Sequence, residues 1–259
     1  MPFANLLYSV DDEGVAVVTL NRPEQLNALN AQLVEDLEGV VEQARADAGV
    51  RAVVITGAGE KAFAAGADIA EFAGMDARDA HRLSARGQAL LSSLEAMSKP
   101  VVAAVNGFAL GGGCELALAC HLRVAHQRAQ FGLPEVTLGL IPGYGGTQRL
   151  PRIVGRGVAA EMVLTGERVT AQRAYEIGLV NRVVDDDVVG AARALALTIA
   201  GRAPIAIELA LGALRASELP LDAGLAQERA LFAQCFATED YAEGVSAFLS
   251  RRQPQFKGR

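Results

Sequence analysis

The sequence predicts an α/β protein: a layered core of alternating strands and helices, then a mostly helical C-terminal region. Two observations carry this. Short β-branched runs alternate with helical periodicities through the first two-thirds of the chain. After about Gly143 the strands give out, and helical patterns succeed one another between glycine and proline breaks. A chain of 259 residues is long enough to bury a full core.

In chain order, Val15–Leu20 is a β-branched strand ended by the turn signal Asn21-Arg22-Pro23. From Asn30, placed as an N-cap, Leu33, Val34, Leu37, Val40, Val41 and Ala44 recur at helical spacing. Residues 51–56 form a second strand ending at Gly57, and 76–97 a helix. A third strand, Val101–Val105, runs into Asn106-Gly107. Gly111 to Gly113 then open a helix containing Glu115, Leu116, Ala117, Leu118 and Ala119. Beyond Gly143, breaks fall at Gly155, Gly166, Gly178, Gly201, Pro204 and Pro220, and only residues 179–184 offer a strand.

Several function classes lose support. The longest apolar runs are far short of a membrane span, and the N-terminus lacks a basic region followed by a long apolar stretch, so a cytoplasmic location is expected. A net charge of −6 opposes a nucleic-acid surface. The dense basic group at the end (Arg251, Arg252, Lys257, Arg259) reads on composition as a solvated tail. Cys114, Cys120 and Cys235 have no paired spacing and read as buried reduced thiols. His121 and His126 lack any metal-site pattern, so no metal is expected. Residues 53–62 imitate a dinucleotide fingerprint, because GxGxxA comes directly after a strand. The glycines lead into another loop, Phe63 to Asp68, where that motif needs a helix. Nucleophile elbows and phosphate loops are absent.

Two glycine-rich stretches remain. Three consecutive glycines at 111–113 are costly in a helix, so something there requires bare backbone. Either the turn and helix packing are unusually tight, or the amides at a helix N-terminus face a negative oxygen. Ala64-Ala65-Gly66-Ala67-Asp68 offers a second exposed turn, with Asp68 suited to cap the element after it. Two amides from separate loops make an oxyanion hole, each donor worth ~3 kcal/mol of barrier. Glu115 and Glu135 both lie in apolar segments. Each is either paired in a packed helix or facing a cavity. In a shared, partly desolvated site one would stay protonated near neutral pH, giving an acid and a base.

These residues resemble the enoyl-CoA hydratase (crotonase) family over nearly the whole chain. The resemblance rests on Asn21-Arg22-Pro23, Asn27-Ala28-Leu29, Phe63 through Ile69, Asn106 through Leu116, Phe131-Gly132-Leu133-Pro134-Glu135, Ile141 through Leu150, and the terminal Phe236 through Asp240 with Pro254-Gln255-Phe256-Lys257. It implies a spiral of ββα units over residues 1–200 and a helical trimerisation region over 201–259 that also contacts coenzyme A. It implies a homotrimer or a dimer of trimers acting on an acyl-CoA thioester, with no cofactor beyond the coenzyme A of the substrate.

By resemblance, Ala67 and Gly112 form the oxyanion hole. Glu115 activates water, Glu135 protonates C2, and Gly143 helps place the water. Ala65, Asp68, Ile69, Phe232 and Arg251 fall at coenzyme A-binding positions. Both glutamates together select hydration of a trans-2-enoyl-CoA, as in fatty-acid or related acyl-CoA breakdown. An enoyl-CoA isomerase, a methylglutaconyl-CoA-type hydratase and a non-catalytic or RNA-binding member are the alternatives. Leu133 stands where many hydratases have glutamine, and Ala70 where they have lysine.

Overall fold

The alternation of strand and helix is present, but its repeating unit has two strands. In a computed structural model, which describes residues 3–259, each pair of strands after the first splits between two sheets before a helix closes the unit. An antiparallel pair, β1 (Leu6–Val10) and β2 (Val15–Leu20), leads into α1 (Ala31–Ala46). β3 (Ala52–Gly57) then enters the large sheet, β4 (Ala62–Ala65) the small one, and α2 (Ala77–Glu95) ends the unit. β5 (Val101–Val105), β6 (Phe108–Leu110) and α3 (Gly112–Ala119) repeat it. So do β7 (Leu122–His126) and β8 (Gln130–Gly132), with a 3-10 turn over Pro134–Leu138 and then α4 (Gly146–Val154). With β9 (Val169–Thr170) and β10 (Arg182–Val184), the orders are β1-β2-β3-β5-β7-β10 and β4-β6-β8-β9. Within the repeats every pairing is parallel. This is the ββα spiral that the resemblance implies.

The large sheet is buried on both faces, as parallel sheets are. Val53, Ile55, Ala103, Val105 and Ala125 point into the main core. After α5 (Arg156–Thr165) and α6 (Ala171–Glu176), the alternate residues Val54, Val102, Ala104 and Val124 are covered by Val188, Ala192 and Ala196 of α7 (Val188–Ala200). The helices begin where the sequence provides caps. Asn30 accepts a hydrogen bond from the Leu33 amide (2.9 Å), and Asp76 forms a capping box with Asp79. All eight residues of α3 are buried, so its N-terminus faces the interior.

Helices α8 (Pro204–Arg215) and α9 (Leu221–Cys235) bury no residue fully, and they pack chiefly on each other. In α10 (Glu239–Leu249) only Asp240 and Ala247 are buried, and Asp240 accepts from the Lys257 (2.6 Å) and Gly258 (2.8 Å) amides. Among the described residues no single helix is long and apolar enough to cross a membrane.

Four expectations are corrected. Phe63 to Ala65 is strand rather than loop, because Ala62–Ala65 pairs with Phe108–Leu110 across some 45 positions of sequence. A helix still does not come directly after the Gly57–Gly59 glycines. The basic tail is not simply solvated: Arg252 pairs with Glu243 (2.6 Å) and Arg259 with Glu239 (2.9 Å). Cys114 and Cys120 are buried as read, but Cys235 is only half-buried. A second short strand, β9, lies beyond Gly143, where it completes the small sheet.

Candidate active site

The three segments singled out in the sequence leave the small sheet side by side. Ala65, Leu110 and Gly132 are in register across β4, β6 and β8. The next residues along are Gly66-Ala67, Gly111-Gly112 and Leu133-Pro134-Glu135. Carboxyl ends of adjacent parallel strands are where α/β proteins gather binding loops, and the register brings Ala67, Gly112 and Glu135 to one level.

Backbone geometry then exposes two amides. Gly111 takes φ +48° and ψ −126°, outside the range of most L-residues, and turns the chain from β6 into α3. A Cβ on Gly112 would stand 3.6 Å from the Ala67 nitrogen, so the two loops face each other. Gly113 packs α3 onto β4; a Cβ there would lie 2.0 Å from the Ala64 carbonyl oxygen. The Ala67 loop is fixed by Leu29, which donates to Gly66 O (2.8 Å) and accepts from the Asp68 amide (2.9 Å). The Ala67 and Gly112 amides donate to no protein acceptor among the described residues. The tight-packing reading holds for Gly113, and Gly112 presents an amide with no protein acceptor among the described residues.

Asp68 does not cap the 3-10 turn after it, Ile69–Phe72. Its carboxylate accepts from Arg22 Nη2 (3.0 Å), while Arg22 Nη1 donates to Ala28 O (2.6 Å). The guanidinium, 46 positions away, out-competes the local amides and ties the loop to the N-terminal turn.

Glu115, in the first turn of α3, is only 2% exposed. Its Oε1 accepts from the Tyr144 (2.8 Å) and Gly146 (2.7 Å) amides. Burial pushes its pKa up from 4.5 to about 7, and the neighbouring Glu135 pushes the same way; the two amides and Arg149 oppose the rise. Glu135, on the 3-10 turn, is also raised by burial. A Cβ on Gly111 would stand 2.9 Å from Glu135 Oε1. Its Oε2 is buried with no hydrogen-bond partner among the described residues. The two N–H groups that face Glu115 favour its charged form, while burial favours the protonated form of both carboxyls.

The Tyr144 and Gly146 amides and the buried Arg149 carry no residue-level signal in the sequence; only their place within the Ile141–Leu150 motif points to them. Gly143 lies at the start of this turn, its carbonyl accepting from Ser84 Oγ (2.6 Å) and Gln88 Nε2 (3.0 Å). Ala65 ends β4, and Ile69 is exposed beside Asp68. Phe232 is exposed on α9, stacked edge-on against Phe236 at 5.2 Å between centroids. Arg251 is exposed, with φ +53°. No hydrogen bond or ion pair joins Phe232 or Arg251 to the glutamates or to the Ala65–Ile69 loop within one chain. Leu133 is fully buried, with Cδ1 3.0 Å from where a Cβ on Gly146 would stand. Among the described residues no group of three His, Cys, Asp or Glu is placed to hold a metal ion.

This geometry agrees with three comparisons. A family profile described as enoyl-CoA hydratase/isomerase matches residues 11–259. The short-chain-enoyl-CoA hydratase of Clostridium acetobutylicum is 44% identical over 254 residues, covering 96% of this chain and 97% of the relative. The 2,3-dehydroadipyl-CoA hydratase of Escherichia coli is 51% identical over 247 residues, 95% and 96% of the two chains. A 1.8 Å crystal structure of an enoyl-CoA hydratase from Bacillus anthracis superposes with a TM-score of 0.95 at 42% identity, covering 98% of this chain and all of the other.

Proposed function

The chain belongs to the enoyl-CoA hydratase/isomerase family, and on that premise we propose that it hydrates trans-2-enoyl-CoA thioesters to 3-hydroxyacyl-CoA by syn addition of water. One observation carries the reading. An amide-held Glu115, and a Glu135 whose buried Oε2 has no hydrogen-bond partner among the described residues, lie beside the facing loops of Ala67 and Gly112.

The thioester oxygen binds the two amides, which stabilise the enolate that develops there. Glu115 orients water and removes its proton as the oxygen bonds to C3. The displaced double-bond electrons move toward the thioester oxygen, and Glu135 delivers its proton to C2. Net, one water is consumed, and the proton left on Glu115 returns to Glu135 through solvent. The Gly143 amide helps hold the water, since its carbonyl is already engaged by Ser84 and Gln88. Holding water and substrate on one face is worth roughly 7 kcal/mol of barrier or more. The reaction as written needs no cofactor beyond the coenzyme A of the substrate.

The same reading includes a trimer or dimer of trimers, in which Phe232 and Arg251 serve coenzyme A together with Ala65, Asp68 and Ile69. It places the enzyme in the reducing cytosol, in keeping with three free thiols, and in acyl-CoA breakdown. The test is hydration of crotonyl-CoA, monitored by loss of the conjugated thioester's ultraviolet absorbance. Rapid turnover supports the reading. Binding without turnover moves the substrate to a longer or branched acyl chain, and absence of binding removes the enzyme reading.

A further inference from the structure

The amides that hold Glu115 belong to a turn whose carbonyls are pinned from the far side. Gly143 O accepts from Ser84 Oγ (2.6 Å) and Gln88 Nε2 (3.0 Å). Tyr144 O accepts from Arg149 Nη1 (2.9 Å). Gly145 O accepts from the Gln148 (3.0 Å) and Arg149 (2.9 Å) amides. With three consecutive carbonyls drawn outward, the amides of Tyr144 and Gly146 turn inward to Glu115 Oε1.

Arg149 is the centre of this arrangement. It is 7% exposed, and its guanidinium also meets Glu95 Oε2 (3.1 Å) and Ser92 Oγ (3.2 Å). Gly145, at φ +102°, lets the guanidinium come close; a Cβ there would lie 2.4 Å from Nη1. Ser84, Gln88, Ser92 and Glu95 recur at helical spacing, so one polar stripe of α2 holds the whole turn.

We propose that Arg149, anchored by this stripe of α2, is a positioning residue for the hydration: it fixes the turn that aims and charges Glu115. The proposal rests on the hydratase reading for its kinetic consequence, but not for its structural one. A planar fork is required, because one group must reach a carbonyl, a carboxylate and a hydroxyl together. The groups facing Glu115 are Glu135, Cys114, Tyr144 and Arg149 itself, and only Arg149 is a cation. Losing it removes a positive charge and loosens two donors, both of which favour the protonated acid.

The experiment uses Arg149→Met, Arg149→Lys and Ser84→Ala in the full chain, with two readouts. The first is the titration of the Glu115 carboxyl by carbon NMR, assigned by its loss in Glu115→Gln. The second is kcat and KM for crotonyl-CoA. For Arg149→Met, Glu115 should titrate at higher pH, and kcat should fall roughly tenfold to a hundredfold with KM nearly unchanged. Arg149→Lys should restore part of both, and Ser84→Ala should move both in the same direction by less. Folded variants in which Glu115 titrates as in the parent overturn the proposal. If Arg149→Met does not fold, the half-buried Ser84→Ala decides alone by the same criterion. A parent enzyme inert toward crotonyl-CoA counts against the hydratase reading, while the NMR titration still tests the positioning role.

Discussion

Two carboxyls in one site are useful only if their surroundings make them different, and here they differ in both hydrogen bonds and burial. Both are raised by desolvation. Glu115 receives two amides and Glu135 Oε2 none among the described residues. Water activation requires ionised Glu115. Its folded pKa of about 7 lies above the ordinary 4.5, so the active form is lost as pH falls through 7, not through 4.5. On the proposed mechanism, proton delivery requires protonated Glu135, whose pKa burial raises, so activity is also lost as that group ionises. A bell-shaped dependence of kcat/KM on pH is expected, with one limb near 7 from Glu115; a profile with no limb near 7 would show that Glu115 is not the base. Glu135→Gln keeps the shape and removes the proton. It should lower turnover about 10²–10⁴-fold while CoA-ester affinity, measured by calorimetry, stays close to the parent value. Near-parent turnover would take Glu135 out of the chemistry.

Among elements, α3 is the one on which the site depends, and its packing shows which parts of the fold sequence could reveal. Glycines at 111–113 stand out in any reading because a run of three has no cheap local explanation. The structure gives each its own reason: a positive φ at Gly111, an amide at Gly112 with no protein acceptor among the described residues, contact with Ala64 at Gly113. Gly113→Ala should therefore be the most damaging of small substitutions here. Its Cβ would stand 2.0 Å from a backbone oxygen of a buried strand, which cannot yield as a flexible side chain would. A melting temperature several degrees lower, with activity lost in step, is expected; an unchanged melting temperature would mean that α3 can slide on β4. The strands that carry the loops are harder to read. β4, β6 and β8 are three or four residues long, rich in alanine and glycine, and stabilised by parallel partners far along the chain, so no local period marks them. The role of Asp68 escapes a local reading for the same reason: its partner, Arg22, is distant in sequence. Burial of Arg149 is equally hidden, since a lone arginine on a helix normally reads as solvated.

At the scale of the whole molecule, the two halves of the chain differ in how they treat apolar surface. The central strands of the spiral hide it on both faces of the large sheet, although Leu138, Ile141 and Leu164 stay exposed. The C-terminal helices leave it outside: Leu221 is 75% exposed, Phe248 83% and Leu249 76%, with Leu214, Phe232 and Phe236 also exposed. Apolar residues gathered on one region beyond ordinary scatter mark a surface that is covered by something. Helices that bury almost nothing against their own core gain stability by packing on another copy, and closed cyclic symmetry allows this without open-ended growth. Light scattering should accordingly give a mass of three or six chains, with the trimer as the unit. Phe248→Asp with Leu249→Asp would place two charges in that surface. The expected outcome is a smaller assembly whose circular dichroism still reports the folded spiral. If the parent is monomeric at micromolar concentration, the exposed surface has another occupant and the trimer must be given up. If the parent is a trimer and the double variant keeps its mass, α10 lies outside the interface, and the contact belongs to α8 and α9.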